Sequence, residues 1–507
     1  MAVIVNKNST FRLIALEVGR HPVLGDLTLT FDDDNVLLPP NEIYTTVVIG
    51  ANGIGKTYLL KVIVDIFNYI YELNHSEQPP RSLGYSFEIR FWFNGQHFNI
   101  KNYSVEGYAP RNAKAVDKMT CIVDGRQTGV HNCLLPSVVV ASAMTVTDKF
   151  PVKPVGEMYH YQGIRNEKSP STTGTRTLVR KTVEGLVRCL KVKGGYREEL
   201  ALLLDVLGFQ HSLKVKYQIK YKDVFLNPNM SPELLCAIFE NKNNRYFNNR
   251  KTELWGKGYF DSIKNDRGIL ERICEYYRRI SQTLDIKEPR LSVSYDVFQQ
   301  GIEQDAETLL ILSRLDIVSF PTILVSKHFE YDFLNSSSGE THILCQMIGL
   351  MSAIKNGGVV LIDEPETSSH PDWQMNYIGW LKKIFRSYSS CHFIIATHSP
   401  LILANVKAHE STIIRLRRND EDKIVDEGGM HRGCYSWTID EILHEVMRME
   451  KENTDDYEYA IKAFETAVRN KDRKTADSSY GLLQQMINPK NELLELLKIQ
   501  KAAIDDD

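Results

Sequence analysis

The sequence predicts an α/β fold with a mainly helical insert in the middle of the chain and a helical tail at its end. Residues 43–49 are rich in β-branched types and lead into a glycine-rich loop and then an amphipathic stretch, the pattern of strand, turn and helix. Two more apolar runs, 358–363 and 391–397, each end in a polar turn. Helical apolar spacing recurs within 165–290 and after residue 437.

Composition restricts the class of protein. The chain has 507 residues, of which 43% are hydrophobic and 25% charged, as in soluble globular proteins. The net charge of −3 provides no general basic field, so any DNA contact needs a local patch. We expect a cytoplasmic protein, because the sequence lacks a long apolar span and a signal-peptide pattern. Its eight scattered cysteines, without a Cys-x-x-Cys pair, predict reduced thiols instead of disulfides or a zinc site.

Residues 50–57 read Gly-Ala-Asn-Gly-Ile-Gly-Lys-Thr, the G-x-x-x-x-G-K-T pattern of a phosphate-binding loop. Glycines let backbone N–H groups approach phosphate oxygens, and the following helix N-terminus favours an anion. A glycine-rich turn before an ordinary helix is the alternative, and the matched flanks argue against it. We therefore predict an ATP site with Mg²⁺, in which the Thr57 hydroxyl is a metal ligand. The nucleotide-binding residues predicted in this loop are Gly50, Asn52, Gly53, Gly55, Lys56 and Thr57.

The run 358–363 ends in Asp363 and Glu364. A buried strand ending this way, known as Walker B, delivers the aspartate to the Mg²⁺ shell and the glutamate to the attacking water. Considered alone, the segment is equally well explained by an ordinary strand that ends in a solvated acidic turn. Together with the phosphate-binding loop, it predicts Asp363 as a metal ligand and Glu364 as the catalytic base.

Two further segments complete a recognisable order along the chain. The apolar run 391–397 ends at His398, and Ser336–Glu340 opens an apolar helix. Serine and glycine at a helix start usually serve as a cap, and a lone histidine at a strand end is usually structural. The order of phosphate-binding loop, Ser-x-Gly-Glu, Asp-Glu and His resembles that of the ABC ATPases, in particular the soluble branch with the chromosome-maintenance and DNA-repair heads.

This resemblance implies an ABC ATPase head, in which a P-loop NTPase sheet stands beside an antiparallel β subdomain. It implies a head-to-head dimer (or a higher oligomer) that holds nucleotide between two protomers, with His398 at the γ-phosphate. It also implies Gln162 as a Mg²⁺-contacting glutamine, for which the alternative is a glutamine in a solvated loop. Ser336 stands where the family has leucine, and Ser369 departs from the usual residue before His-Pro. The residues implied to contact the nucleotide of the opposite protomer are Ser337, Gly339 and Glu340.

The tail carries a second resemblance. Residues 436–446 read Ser-Trp-Thr-Ile-Asp-Glu-Ile-Leu-His-Glu-Val and precede several amphipathic helical stretches. They resemble the tail of Septu-type antiphage defence ATPases, which are also found beside retrons. The resemblance implies a separate HNH endonuclease as partner and, in a retron, the reverse transcriptase with its DNA and RNA. The alternative is that the apolar stripes pack on the chain itself.

We expect four segments. These are an N-terminal lobe of the head (1–163), a mainly helical insert (164–290), a C-terminal lobe of the head (291–415) and a helical tail for partner docking (416–507). Asn94-Gly95 and Asp124-Gly125 favour two-residue turns and predict two hairpins in the N-terminal lobe.

We predict no nuclease centre in this chain. No apolar strand in the tail leads into nuclease-type acids, and His444-Glu445 lacks the second histidine of H-E-x-x-H. Two alternative functions stay open. A repair or recombination ATPase would bind DNA directly, for which the basic and aromatic segment 241–251 is a candidate, although such segments are more often solvated loops. A self-contained toxin would cleave RNA with tail residues near His431-Arg432 or His444-Glu445.

Overall fold

The protein is described from a computed structural model. It describes residues 10–32, 42–78, 80–102, 119–165, 175–192, 194–221, 226–240, 257–284, 291–299, 302–408, 410–426, 433–435, 437–447, 455–487 and 492–502. The segment 241–251, the residues 431–432 and Ser436 lie outside this set. The chain divides into two compact units, Met1–Ile442 and Leu443–Asp507.

Within the described residues, the strands form three sheets. The strands are β1 Phe11–His21, β2 Gly25–Thr30, β3 Tyr44–Gly50, β4 Ser86–Phe93, β5 Gln96–Asn102, β6 Met119–Val123, β7 Arg126–Thr128, β8 Val139–Ala143, β9 Tyr159–Gly163, β10 Leu213–Gln218, β11 Ser292–Asp296, β12 Thr322–Ser326, β13 Glu330–Asp332, β14 Val359–Asp363, β15 His392–Thr397, β16 Ser411–Arg418 and β17 Ile424–Asp426. The α-helices are Lys56–His75, Thr175–Val192, Tyr196–Val206, Pro232–Glu240, Lys257–Ile263, Arg267–Thr283, Ile302–Arg314, Ser338–Ala353, Pro371–Ile384, Pro400–Leu403, Ile439–Glu441, Asp455–Arg469, Arg473–Met486 and Glu492–Ala502. The short 3₁₀ turns are Val130–Asn132, Phe333–Asn335 and Arg386–Tyr388, and Ile442–Val446 is a π-helical turn.

The central sheet has the strand order β17-β16-β3-β15-β14-β8-β9. Its pairs are parallel except for the edge pair of β16 and β17. Strands β3, β14 and β15 are buried along their whole length, as expected for a parallel sheet covered on both faces. The predicted α/β head is confirmed. Because these strands run in the same direction, the turns after β3, β8, β14 and β15 meet at one edge of the sheet.

A second sheet lies beside this one, with the antiparallel order β2-β1-β4-β5-β6-β7. Both predicted hairpins are present. Asn94 and Gly95 adopt φ of 52° and 81°, and Asp124 and Gly125 adopt 49° and 78°. These left-handed values are what a two-residue turn between right-twisted strands requires. The predicted antiparallel subdomain is therefore confirmed.

The helix Lys56–His75 packs in the hydrophobic core that the two sheets share. The ring centroid of Phe67 lies 5.9 Å from that of Phe11 in β1 and 5.7 Å from that of Phe91 in β4. Both are edge-to-face contacts. The other face of the core comes from central-sheet residues such as Leu361 and Ile394. Burial of large apolar side chains on both sides fixes the orientation of this helix. It therefore also fixes the position of the helix N-terminus beside the loop that follows β3.

The insert is mainly helical among its described residues, and β10 pairs with β11 and β12, so its sheet includes residues after 291. At the other boundary, β16 pairs with β3, so the central sheet extends beyond residue 415.

The second unit is formed by the helices Asp455–Arg469, Arg473–Met486 and Glu492–Ala502, around a small core of its own. Phe464 and Leu483 are fully buried in that core.

The expectation of reduced cysteines is wrong for one pair. Cys121 of β6 and Cys133, which directly follows a 3₁₀ turn, form a disulfide. The two cysteines come together because β7 runs back antiparallel to β6, which returns the chain to the neighbourhood of Cys121. The sequence spacing of the cysteines does not indicate this pairing. The other six cysteines are not part of a disulfide in the described structure. In the described part of the chain, no helix combines the length and apolar character needed to cross a membrane.

Candidate nucleotide site

The loop after β3 wraps the N-terminus of the helix Lys56–His75, as the motif predicts. Gly53 and Gly55 adopt φ of 77° and 109°, values that side chains with a Cβ rarely adopt. A Cβ at Gly55 would also lie 2.7 Å from the Cδ2 atom of Leu24. The left-handed φ is the stronger reason for glycine at position 55, because the end of the Leu24 side chain could shift.

A cleft of about 320 Å³ lies at the sheet edge where the strands end. It brings together three motifs that are far apart in the sequence: the phosphate-binding loop, Asp363-Glu364 and His398. A fourth contribution comes from the turn after β8. The residues that line the cleft are Asn52, Gly53, Thr57, Thr145, Thr147, Asp148, Asp363, Glu364, Thr367 and His398.

Thr57 and Asp363 are in direct contact. The Thr57 hydroxyl donates a 2.8 Å hydrogen bond to Oδ2 of Asp363. The other carboxylate oxygen, Oδ1, is buried and bonds to none of the residues that the structure describes. Burial, partly offset by the Thr57 hydrogen bond, raises the pKa of Asp363 to about 6. A buried carboxylate oxygen without a donor fits a hard cation, and Mg²⁺ prefers such oxygen ligands.

Lys56 is 4% exposed and points back into its own loop. Its ammonium donates to the carbonyl oxygens of Gly50 at 2.9 Å and Ala51 at 3.3 Å. It also lies 3.7 Å from the Oε1 atom of Glu364. This lysine therefore joins the phosphate-binding loop to the acidic end of β14.

Glu364 sits directly after β14 with a left-handed φ of 49°, which turns its side chain away from the strand direction. Its Oε2 atom hydrogen-bonds to the Nδ1 atom of His398. Burial, followed by the nearby carboxylate of Glu366, raises the pKa of Glu364 to about 7. A carboxylate with a pKa near neutrality is suited to accept a proton from water.

The helix Ser338–Ala353 begins as predicted from Ser336–Glu340. Ser337 is its N-cap, and a reciprocal pair of hydrogen bonds joins it to Glu340 in a capping box. The carboxylate of Glu340 also forms an ion pair with Lys327, so it is engaged within its own chain. A Cβ at Gly339 would lie 2.9 Å from the backbone oxygen of Ser368, which places this helix start against the turn that follows β14. Residues Ser337, Gly339 and Glu340 are absent from the described lining of the cleft.

Gln162 does not line this cleft either. It lies in β9, and its Oε1 atom would be 3.1 Å from a Cβ placed on Gly349, in the middle of the helix Ser338–Ala353. On this side the cleft is lined instead by Thr145, Thr147 and Asp148 of the turn after β8. Sequence reasoning missed these residues. The available signal was a polar Thr-x-Thr-Asp run directly after a buried strand that joins the same sheet.

Asp148 is 3% exposed, and its carboxylate is fully engaged. Arg165 donates to its Oδ2 atom at 2.9 Å, and the Tyr161 hydroxyl donates to the same oxygen at 2.8 Å. The backbone N–H of Phe150 donates to Oδ1 at 3.0 Å. These contacts fix the turn after β8 at the edge of the cleft.

Residues 237–404 match the family described as "AAA domain, putative AbiEii toxin, Type IV TA system". The chain is 27% identical over 197 residues to the Septu protein PtuA of Bacillus thuringiensis, a match that covers 36% of this chain and 49% of that protein. It is 26% identical over 311 residues to the Retron Ec83 probable ATPase of Escherichia coli, which covers 58% of this chain and 51% of that protein. The matches thus span about half the length of these relatives.

Among solved structures, the Smc head domain of Pyrococcus furiosus gives a TM-score of 0.33 at 12% identity, covering 87% of this chain and 100% of that one. The recombination mediator RecF with ATP gives 0.28 at 13% identity, covering 80% and 96%. Because both TM-scores are below 0.5, the fold assignment rests on the sheet order and the motif positions described above. On these grounds the chain is related in sequence, over part of its length, to the Septu protein PtuA and to a retron probable ATPase, and its α/β head carries the motifs of a nucleotide site at one edge of the central sheet.

Proposed function

We propose that the chain binds and hydrolyses ATP with Mg²⁺ at the cleft. Lys56 and the loop 50–57 hold the phosphates, and Thr57 and Asp363 hold the metal. Glu364 takes a proton from the attacking water, and His398 contacts the γ-phosphate. The observation that carries this proposal is the meeting of Thr57 with Asp363 beside the Glu364–His398 pair. When bound, Mg²⁺ neutralises charge that develops on the transferred phosphoryl group.

We propose that turnover needs two copies of the chain. Ser337 and Gly339 open a helix whose N-terminus favours an anion, yet they are absent from the described lining of their own cleft. A second copy in head-to-head orientation would supply them to the γ-phosphate. Glu340 would then act indirectly, because it is committed to the capping box and to Lys327.

We further propose that the ATPase cycle regulates an HNH-type endonuclease in antiphage defence, of the Septu or retron kind. The sequence similarity to the Septu protein PtuA and to a retron ATPase supports this assignment. The separate helical unit from Leu443 onward is the proposed docking module. In a retron setting, the complex would also hold the reverse transcriptase with its DNA and RNA.

The test is the mass of the complex by light scattering, for the chain alone and co-expressed with the products of neighbouring genes, with and without ATP. We expect a dimeric head that forms a stable complex with a nuclease. If the chain forms no complex with the products of neighbouring genes and binds DNA in a salt-dependent manner, the result would favour a repair ATPase. Cleavage of RNA by the purified chain alone would favour a self-contained toxin.

A further inference from the structure

Glu366 lies three residues after Asp363 and is 6% exposed. Its Oε1 atom accepts three hydrogen bonds from consecutive residues at the end of β15. The donors are the Thr397 hydroxyl at 2.6 Å, the backbone N–H of His398 at 2.9 Å and the backbone N–H of Ser399 at 3.2 Å. One carboxylate oxygen thus organises the whole turn that carries His398, which we call the switch turn, residues 397–399.

Burial of a carboxylate costs free energy unless donors compensate for the lost water. Two backbone N–H groups and a hydroxyl provide this compensation on one oxygen, and hydrogen bonds to a charged acceptor are stronger than neutral ones. The hydroxyl of Thr397 also accepts from the Ser399 N–H at 2.9 Å, which closes the turn on itself. The backbone of His398 is therefore held in place by Glu366, which follows β14 in the chain.

The position of the His398 ring depends on this turn. The ring is half-exposed, so little packing restrains it, and its Nδ1 atom meets the Oε2 atom of Glu364. The same Nδ1 lies 3.2 Å from the Oε1 atom of Glu366. Glu366 does not itself line the nucleotide cleft, although Glu364 and His398 do. It can act on the chemistry through the turn that it holds, and, besides burial, its charge also helps to raise the pKa of Glu364.

We propose that Glu366 is the positioning residue of the switch turn: by accepting three hydrogen bonds on Oε1, it places His398 against Glu364 and toward the γ-phosphate. This inference rests on the proposed function of the cleft. The positioning role requires a hydrogen-bond acceptor where the Oε1 atom of Glu366 lies. A glutamine side chain provides such an acceptor in its amide oxygen. Alanine at position 366 keeps none. It leaves the backbone N–H of His398 without this acceptor, whereas the Ser399 N–H still has the Thr397 hydroxyl.

The experiment compares Glu366→Gln, Glu366→Ala and Thr397→Val in steady-state ATP hydrolysis by the full chain. We expect Glu366→Ala to lower kcat about tenfold or more while KM for ATP changes less than about twofold, since the loss concerns catalytic geometry and not nucleotide binding. Glu366→Gln should recover most of kcat. Thr397→Val preserves shape, removes one donor to Glu366 and removes the second acceptor of the Ser399 N–H. It should show a smaller loss in the same parameter, because the His398 and Ser399 N–H groups keep the Glu366 carboxylate as their acceptor.

A double-mutant cycle with His398→Ala tests the route of the effect. If Glu366 acts through His398, the pair Glu366→Ala/His398→Ala should be no slower than His398→Ala alone. Additive losses, or a Glu366→Gln variant as slow as Glu366→Ala, would overturn the proposal. Glu157→Ala is the matched control, because that glutamate is exposed and its ion pair with Lys355 lies on the surface.

Two outcomes separate this inference from the proposed function. Absence of ATP turnover in the parent chain contradicts the proposed function itself. Turnover in the parent chain with an unchanged kcat in Glu366→Ala contradicts the positioning role alone. If Glu366→Ala fails to fold, which thermal unfolding would reveal, the comparison of Thr397→Val with the parent and with His398→Ala decides in its place.

Discussion

The hydroxyl of Thr57 donates a 2.8 Å hydrogen bond to the Oδ2 atom of Asp363, and 306 positions of sequence separate the two residues. One begins a helix and the other ends a strand. Their meeting places a hydroxyl and a buried carboxylate, with one oxygen still free of hydrogen bonds to described residues, at the same point of the cleft. This pair is the proposed Mg²⁺ holder.

Thr57→Ala should weaken Mg²⁺-dependent ATP binding about tenfold or more, because the metal loses a ligand and Asp363 loses its hydrogen bond. Titration of a fluorescent ATP analogue with and without Mg²⁺ measures the effect. Thr57→Ser keeps the hydroxyl and should bind like the parent. Equal affinity of Thr57→Ala and Thr57→Ser would contradict the metal assignment.

Glu364→Gln should keep ATP binding and reduce hydrolysis about 100-fold or more, because the amide cannot accept a proton from water. With turnover blocked, ATP-bound dimers should accumulate, which light scattering detects as a doubled mass. Glu157→Gln serves as the surface control. Hydrolysis at the parent rate by Glu364→Gln would show that another group is the base.

ATP hydrolysis should depend on the protonation of Glu364. Its pKa in the nucleotide-free protein is raised to about 7, so below that pH the side chain is increasingly protonated and cannot act as a base. We therefore expect kcat/KM to fall about tenfold for each pH unit well below 7 and to level off above it. If kcat/KM does not change between about pH 5.5 and about pH 8, a range that spans this pKa, Glu364 is not the base.

The same carboxyls predict how the stability of the nucleotide-free chain depends on pH. Asp363 and Glu364 have pKa values raised from 3.8 and 4.5 to about 6 and about 7. Between its unfolded and its folded pKa, each carboxyl binds more protons in the folded chain than in the unfolded chain. The contribution of these two groups to the free energy of unfolding therefore falls as pH rises, and it reaches its minimum above about pH 7. Asp363→Asn/Glu364→Gln should therefore gain melting temperature over the parent at pH 8 and less at pH 5. Thermal unfolding at both pH values checks this, and an equal shift at both contradicts it.

Gly339→Ala should impair activity through the contact between the helix Ser338–Ala353 and the turn after β14. The added Cβ would lie 2.9 Å from the backbone oxygen of Ser368, and backbone cannot move aside as a flexible side chain can. We expect a loss of about 1–3 kcal/mol in stability, measured by denaturant unfolding, together with lower turnover. Gly481→Ala is the control, since its Cβ would meet nothing within 4 Å. Equal stability of the two variants would show that the turn yields.

The sequence by itself determined the α/β head, the phosphate-binding loop, the Asp363-Glu364 pair and the two hairpins. These are local patterns, in which a few consecutive residues carry the whole signal: glycines where φ is left-handed, and apolar runs that end in polar turns. The start of the helix Ser338–Ala353 was equally clear, because a capping box is contained within four residues.

Only the tertiary structure decided which polar groups share the cleft. It brought in Thr145, Thr147 and Asp148, left Gln162 against Gly349, and placed the Glu366 carboxylate under the switch turn. It also joined Cys121 to Cys133. The physical reason is the parallel sheet: its order sets which strand ends are neighbours, and no local pattern encodes that order. Side chains far apart in the sequence therefore become partners through the pairing of the strands that carry them.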